Sequence, residues 1–149
     1  MSAPVHRLAV VVSRFNRTVT DRLLEGAIKA ATERGARLDR NDVFFTPGAF
    51  ELPLVAMRLA QSGRYAGVVC LGSVIRGDTP HFEYVCQQAA AGIQRVALDT
   101  GVPTAFGVLT TDTVEQALER AGGAVGDKGF EAVVTVLETL AQLDRIPES

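Results

Sequence analysis

The chain has 149 residues, 47% of them apolar, and a formal net charge of −2 from 15 Lys and Arg against 17 Asp and Glu. That length fits one domain, residues 1–149, with enough apolar material for a sizeable core, and it is unlike a disordered chain. A near-balanced charge without a run of Lys or Arg argues against a nucleic-acid or anionic-membrane surface and directs attention to a small-molecule or protein partner.

Met1 to Leu8 carries no charged, then apolar, then small-residue leader, and no apolar run is long enough to span a bilayer, so a cytoplasmic location is expected. Leu8 to Ser13 is an apolar, β-branched run without alternation, the pattern of a strand buried on both faces. A helix is predicted from Val19 to Arg34, with Leu23, Leu24, Ala27, Ile28 and Ala31 on one face and Gly35 as its stop. Val43 to Thr46 reads as a second strand and Pro47 to Glu51 as the loop after it. A helix from Leu52 to Gln61 tolerates Pro53 because that residue falls in its first turn. Gly63 closes this helix.

Val68 to Leu71 reads as an interior strand, followed by a loop with Gly72 and Gly77. Thr79 and Pro80 then suit the N-cap and first position of a helix reaching Leu98. The small residues Ala89 to Gly92 in its middle allow close backbone approach. Cys70 in the strand and Cys86 in the helix lack metal or redox spacing and are expected to be reduced core residues. With only His6 and His81 for imidazole ligands, no metal site is expected. Pro103 to Leu109 is the fourth strand. Asp112 and Glu115 resemble a capping box for a short helix through Ala121. A glycine-rich connection, Gly122 to Gly129, leads to a last helix using Phe130, Val133, Val134, Leu137 and Leu140.

Strands alternating with helices imply a three-layer α/β/α sandwich on a four-stranded parallel sheet with right-handed crossovers. Ligands of such sheets bind beyond the carboxyl ends of the strands. That rule gathers Ser13 to Asn16, Thr46 to Glu51, Gly72 to His81 and Thr110 to Asp112 at one edge.

Within this set, the glycine loop opening a helix reads either as an anion seat, using the free N–H groups and dipole of the helix start, or as an ordinary strand–helix joint. His81, the one histidine of these loops, can accept a proton and hand it on. Phe15, directly after a strand, suits stacking on a flat ring or folding back on a neighbour. Glu51 suits hydrogen bonding to hydroxyls or plain dipole complementarity. Arg120 and Lys128, read alone, are solvated charges.

Taken together, Ser13 to Asn16, Pro47 to Pro53, Leu71 to Val85, Phe106 to Thr111, Glu115 to Gly122 and Gly126 to Gly129 resemble the 6,7-dimethyl-8-ribityllumazine synthase family of riboflavin biosynthesis. The resemblance runs from about Leu8 to Leu143. It implies a flavodoxin-like fold and a cofactor-free condensation of 5-amino-6-(D-ribitylamino)uracil with 3,4-dihydroxy-2-butanone 4-phosphate, releasing phosphate and water. By matching position, Phe15 stacks on the pyrimidine. Ala49, Phe50 and Glu51 hold the ribityl chain, while Ser73, Val74 and Ile75 bind the uracil edge. Gly77, Asp78 and Thr79 seat the phosphate together with Arg120, and His81 shuttles protons. Phe106, Arg120 and Lys128 reach the site from an adjacent subunit.

The resemblance also implies a homopentamer, extending in some members to a sixty-subunit icosahedral shell, and riboflavin synthase as a partner. The short connection Gly122 to Gly126 is compatible with a shell. Asp78 stands where small or amide residues also occur in relatives, and beside a phosphate it fits if its backbone faces the ligand. Two alternatives remain at this level: the archaeal-type riboflavin synthase of the same superfamily, and a catalytically idle flavin-binding or shell-forming protein.

Overall fold

The run Leu8–Ser13 forms β1, and all six of its residues are buried. In the computed structural model, which describes residues 4–147, this strand lies inside a parallel sheet of order β2-β1-β3-β4, with β2 (Val43–Thr46), β3 (Gly67–Ile75) and β4 (Thr104–Thr111). Residues 1–3 of the stretch read for a leader lie outside the described residues. Leu8, Val10 and Val12 face one apolar cluster with Val69 and Leu71, while Ala9 and Val11 face the other with Val68 and Cys70. Burial on both sides explains the absence of alternation, each buried Val or Leu contributing about 1.5–3 kcal/mol.

The first face is covered by α1 (Arg17–Arg34) and α5 (Lys128–Arg145), with α4 (Val114–Glu119) at its margin. The second is covered by α2 (Leu52–Gln61) and α3 (His81–Thr100). The three-layer α/β/α architecture is thus as expected, and the strand order is that of flavodoxin-like sheets.

Several boundaries differ from the sequence expectation, each for a local reason. Helix α1 starts two residues early, because Asn16 takes a left-handed conformation (φ 64°, ψ 50°) and turns the chain at once. Its buried face is Val19, Thr20, Leu23, Ala27, Ala30 and Ala31; Leu24 is half-buried and Ile28 exposed, since both stand one residue, about 100°, round from that stripe. Gly35 ends the helix at φ 73°, as predicted.

The end of the Pro47–Glu51 loop is a 3-10 turn, Ala49–Glu51, leading directly into α2. Strand β3 continues past Leu71 to Ile75, because β4 keeps pairing with it up to Ile75 opposite Thr111. Ser73, Val74 and Ile75 are therefore strand residues rather than loop. Strand β4 correspondingly runs from Thr104 to Thr111, absorbing two residues assigned to a loop.

Helix α3 begins at His81 with Pro80 as N-cap, so Thr79 does not cap it, and it runs on to a left-handed Gly101 (φ 73°). Gly92 is where α3 meets α2: a Cβ there would lie 2.7 Å from the Cβ and Cγ of Pro53. Cys70 is buried, but Cys86 is only half-buried and not a core residue. Helix α4 is capped by Thr113, which accepts from the Gln116 amide at 3.1 Å, and not by Asp112, whose carboxylate is held by Arg76. It ends at Glu119 rather than Ala121, where the chain turns toward Gly122 (φ 92°). Asp127 caps α5 by accepting from the amides of Gly129 and Phe130, both at 3.1 Å.

Candidate functional site

The loops beyond the carboxyl ends of β1, β2 and β3 surround a cavity of about 630 Å³. Their placement follows from pairing that continues past the strands. Arg14 donates its amide to Thr46 O at 2.8 Å and Phe15 donates to Pro47 O at 3.2 Å, so the Phe15 loop lies alongside the Pro47–Glu51 segment. The Asn16 side-chain amide then donates to Ser73 O at 2.8 Å, tying the same loop to β3.

Phe15 lines the cavity and is 71% exposed. An aromatic face left this open has no packing partner to explain it, and a flat apolar ligand supplies one. Ala49, Phe50 and Glu51, on the adjoining segment, line the same cavity. The Gly48 amide donates to Glu51 Oε1 at 2.9 Å, and Thr46 Oγ1 donates to Gly48 O at 2.8 Å. One carboxylate oxygen of Glu51 thus rigidifies its own turn, and the other is left to accept from a ligand.

Ser73, Val74 and Ile75 form the floor. Ser73 Oγ is buried and has no partner among the described residues, as is also the case for Ser13 Oγ. A buried hydroxyl without a partner costs stability, and both oxygens are enclosed within the fold. Gly77, Thr79 and His81 complete the wall where α3 opens. No side chain caps that helix start, and although the Glu83 amide donates to Pro80 O at 3.1 Å, the amides of His81 and Phe82 remain available to an anion.

The remaining predicted site residues lie elsewhere. Asp78 is exposed in the same loop but does not line the cavity, and Phe106, 36% exposed, is on β4. Arg120 and Lys128 are also outside it. They are nonetheless brought together: an isolated antiparallel bridge joins Ala121 to Asp127, and the Lys128 amide donates to Arg120 O at 2.8 Å. The Arg120 guanidinium donates to Gln116 O at 2.9 Å, and its side chain is 41% exposed.

The cavity wall also contains Asn16, Phe82, Tyr84 and Val85, to which the sequence analysis gave no role. Tyr84 and Val85 sit three and four residues after His81, on its face of α3, a spacing that could have flagged them. Arg76 was missed as well. It donates to Asp112 Oδ1 at 2.8 Å and pairs with Glu83, and the bond from Arg76 holds the Glu83 carboxyl below its usual range. Among the described residues no group of His, Cys, Asp and Glu could hold a metal ion, and no helix is long and apolar enough to cross a membrane.

A family model described as 6,7-dimethyl-8-ribityllumazine synthase matches residues 5–144. A relative from Deinococcus deserti bearing the same name is 52% identical over 143 residues, covering 96% of this chain and 92% of its own. Another of that name, from Syntrophus aciditrophicus, is 54% identical over 140 residues, covering 94% and 91%.

Proposed function

Since the chain belongs to the 6,7-dimethyl-8-ribityllumazine synthase family, a transferase of riboflavin biosynthesis condensing 5-amino-6-(D-ribitylamino)uracil with 3,4-dihydroxy-2-butanone 4-phosphate, we propose that the cavity beyond β1, β2 and β3 is where the condensation occurs. The pyrimidine stacks on Phe15, its edge meets the β3 floor at Ser73, Val74 and Ile75, and the ribityl chain runs to Ala49, Phe50 and Glu51. The phosphate sits against Gly77, Asp78 and Thr79 at the start of α3, with the backbone rather than the carboxylate of Asp78 toward it. His81, next along the chain, takes and returns protons as the imine forms, phosphate leaves and the ring closes.

One observation carries the further proposal that the site spans two subunits. The cavity lining includes a carboxylate, Glu51, but no lysine or arginine, although one substrate is a phosphate ester. The coupled cations Arg120 and Lys128, with the exposed Phe106, belong to surfaces outside the cavity of their own chain. Delivered by a neighbour in a cyclic homopentamer, they supply the missing charge and close the pocket. A single domain over residues 1–149, a cytoplasmic location, assembly of pentamers into a shell and association with riboflavin synthase belong to the same reading.

The test is to mix the purified protein with both substrates and follow lumazine absorbance. Formation above the protein-free control supports the reading; a rate equal to the control refutes it.

A further inference from the structure

We propose that Arg76 is a positioning residue for the anion seat: its side chain clasps the first turn of α3 to the end of β4 and thereby fixes the loop Gly77 to Thr79 that leads to His81. The inference rests on the reading of the cavity given above.

Arg76 is the first residue after β3, and its amide donates to Thr111 O at 2.9 Å, extending the β3–β4 pairing by one step. From that anchored backbone the side chain reaches in two directions. Nε donates to Asp112 Oδ1 at 2.8 Å, just beyond β4, and Nη1 pairs with Glu83 in the first turn of α3. The guanidinium also lies over the Phe82 ring, 4.5 Å from its centroid. Phe82 itself lines the cavity beside His81. Gly77, Asp78 and Thr79 make no hydrogen bond of their own to another element among the described residues. The segment therefore runs without a cross-element bond from the Arg76 backbone to the start of α3, and the Arg76 side chain ties that helix start back to Asp112 beyond β4.

The same geometry argues against Arg76 as a direct phosphate ligand. The residue is not in the cavity wall, and its charge is already shared by two carboxylates, leaving the three-residue cluster net negative. Such a cluster attracts no anion. With side chains 43–65% exposed, these pairs add little to global stability. What they do is limit the conformations of a five-residue passage that must be ordered when the phosphate binds. Ordering the seat beforehand lowers KM for the phosphate substrate and leaves kcat nearly untouched, because the bound state is ordered either way.

The test compares wild type with Arg76→Lys and with the double variant Glu83→Gln/Asp112→Asn. The lysine keeps the charge but loses the fork, and the double variant removes both anchors along with two negative charges. The clasp predicts that each raises KM for the butanone phosphate about three- to tenfold, with kcat and KM for the pyrimidine within about twofold. A purely electrostatic role predicts the opposite sign for the double variant, a lower KM, and wild-type behaviour for Arg76→Lys; either result overturns the proposal. Amide hydrogen exchange at Gly77 to Phe82 gives a readout independent of activity: exchange is faster in both variants if the clasp holds the loop, and unchanged if it does not. Absence of lumazine formation by the wild type would sink the assignment of the cavity, while the exchange data would still decide the clasp.

Discussion

The side-chain amide of Asn16 and the carbonyl of Ser73 are joined by a 2.8 Å hydrogen bond that fixes the loop carrying the exposed Phe15 to strand β3, which lines the same cavity. Asn16 does this from a left-handed backbone (φ 64°), a conformation that asparagine tolerates and alanine does not. Asn16→Ala is expected to lose about 1–2 kcal/mol of stability from the strained backbone and the missing bond. Asn16→Gly restores the backbone part only. In both variants KM for the pyrimidine substrate rises, since the loop carrying Phe15 has lost its tie. Thermal unfolding and steady-state kinetics on the three proteins check this.

His81 and Arg120 are assigned different tasks, so their removal should read differently. His81→Ala lowers kcat about 100-fold with little change in either KM, as expected when a proton carrier is lost. Arg120→Ala raises KM for the butanone phosphate about tenfold and leaves kcat within a few-fold. Initial rates over both substrate concentrations separate the two.

At the opposite end of the sheet, the Asp42 side chain is completely buried. It accepts from Arg7 Nη2 at 2.7 Å, from the Tyr65 hydroxyl at 3.0 Å and from the Asp39 amide at 3.0 Å. Burial pushes its carboxyl up, but the bonds from Arg7, Asp39 and Tyr65 outweigh burial and hold it below the ordinary value. The folded chain thus binds this proton less tightly than the unfolded chain. The contribution to stability is complete above the unfolded value, near pH 4, and is lost as pH falls through the lower folded one. Asp42→Asn should cost about 2 kcal/mol at neutral pH. Urea unfolding of both proteins from neutral pH downward should show the gap closing below about pH 4.

Gly92 lies where α3 crosses Pro53 of α2, with no room for a methyl group. Gly92→Ala should push α3, which lines the cavity, away from α2 and cost about 1–3 kcal/mol, seen as a lower melting temperature. Gly63→Ala meets no neighbour but sits at φ 74°, so it costs only the backbone strain, about 1–2 kcal/mol.

Much of this was legible in the residues. Leu8 to Ser13 and Val43 to Thr46 are strands with the expected ends, because apolar runs bounded by turn residues leave little choice. The cavity loops were legible too, since topology alone sends Phe15, Glu51 and His81 to one edge of the sheet. What was hidden depends on distant partners. The extension of β3 to Ile75 needs the pairing with β4, and the displacement of Asp112 as a cap needs Arg76, 36 residues earlier. The antiparallel bridge that couples Arg120 to Lys128 leaves no periodic trace in the sequence.

The claim that the site is built from two chains is tested most directly by subunit complementation. His81→Ala and Arg120→Ala proteins are unfolded together in equal amounts and refolded, and lumazine formation is measured at low butanone phosphate. In a ring with sites shared between neighbours, random assortment pairs an intact His81 with an intact Arg120 at about a quarter of the interfaces. Activity should then recover to about a quarter of the wild-type rate. A mixture no more active than the average of the two variants refolded separately would contradict the account and place each site within one chain.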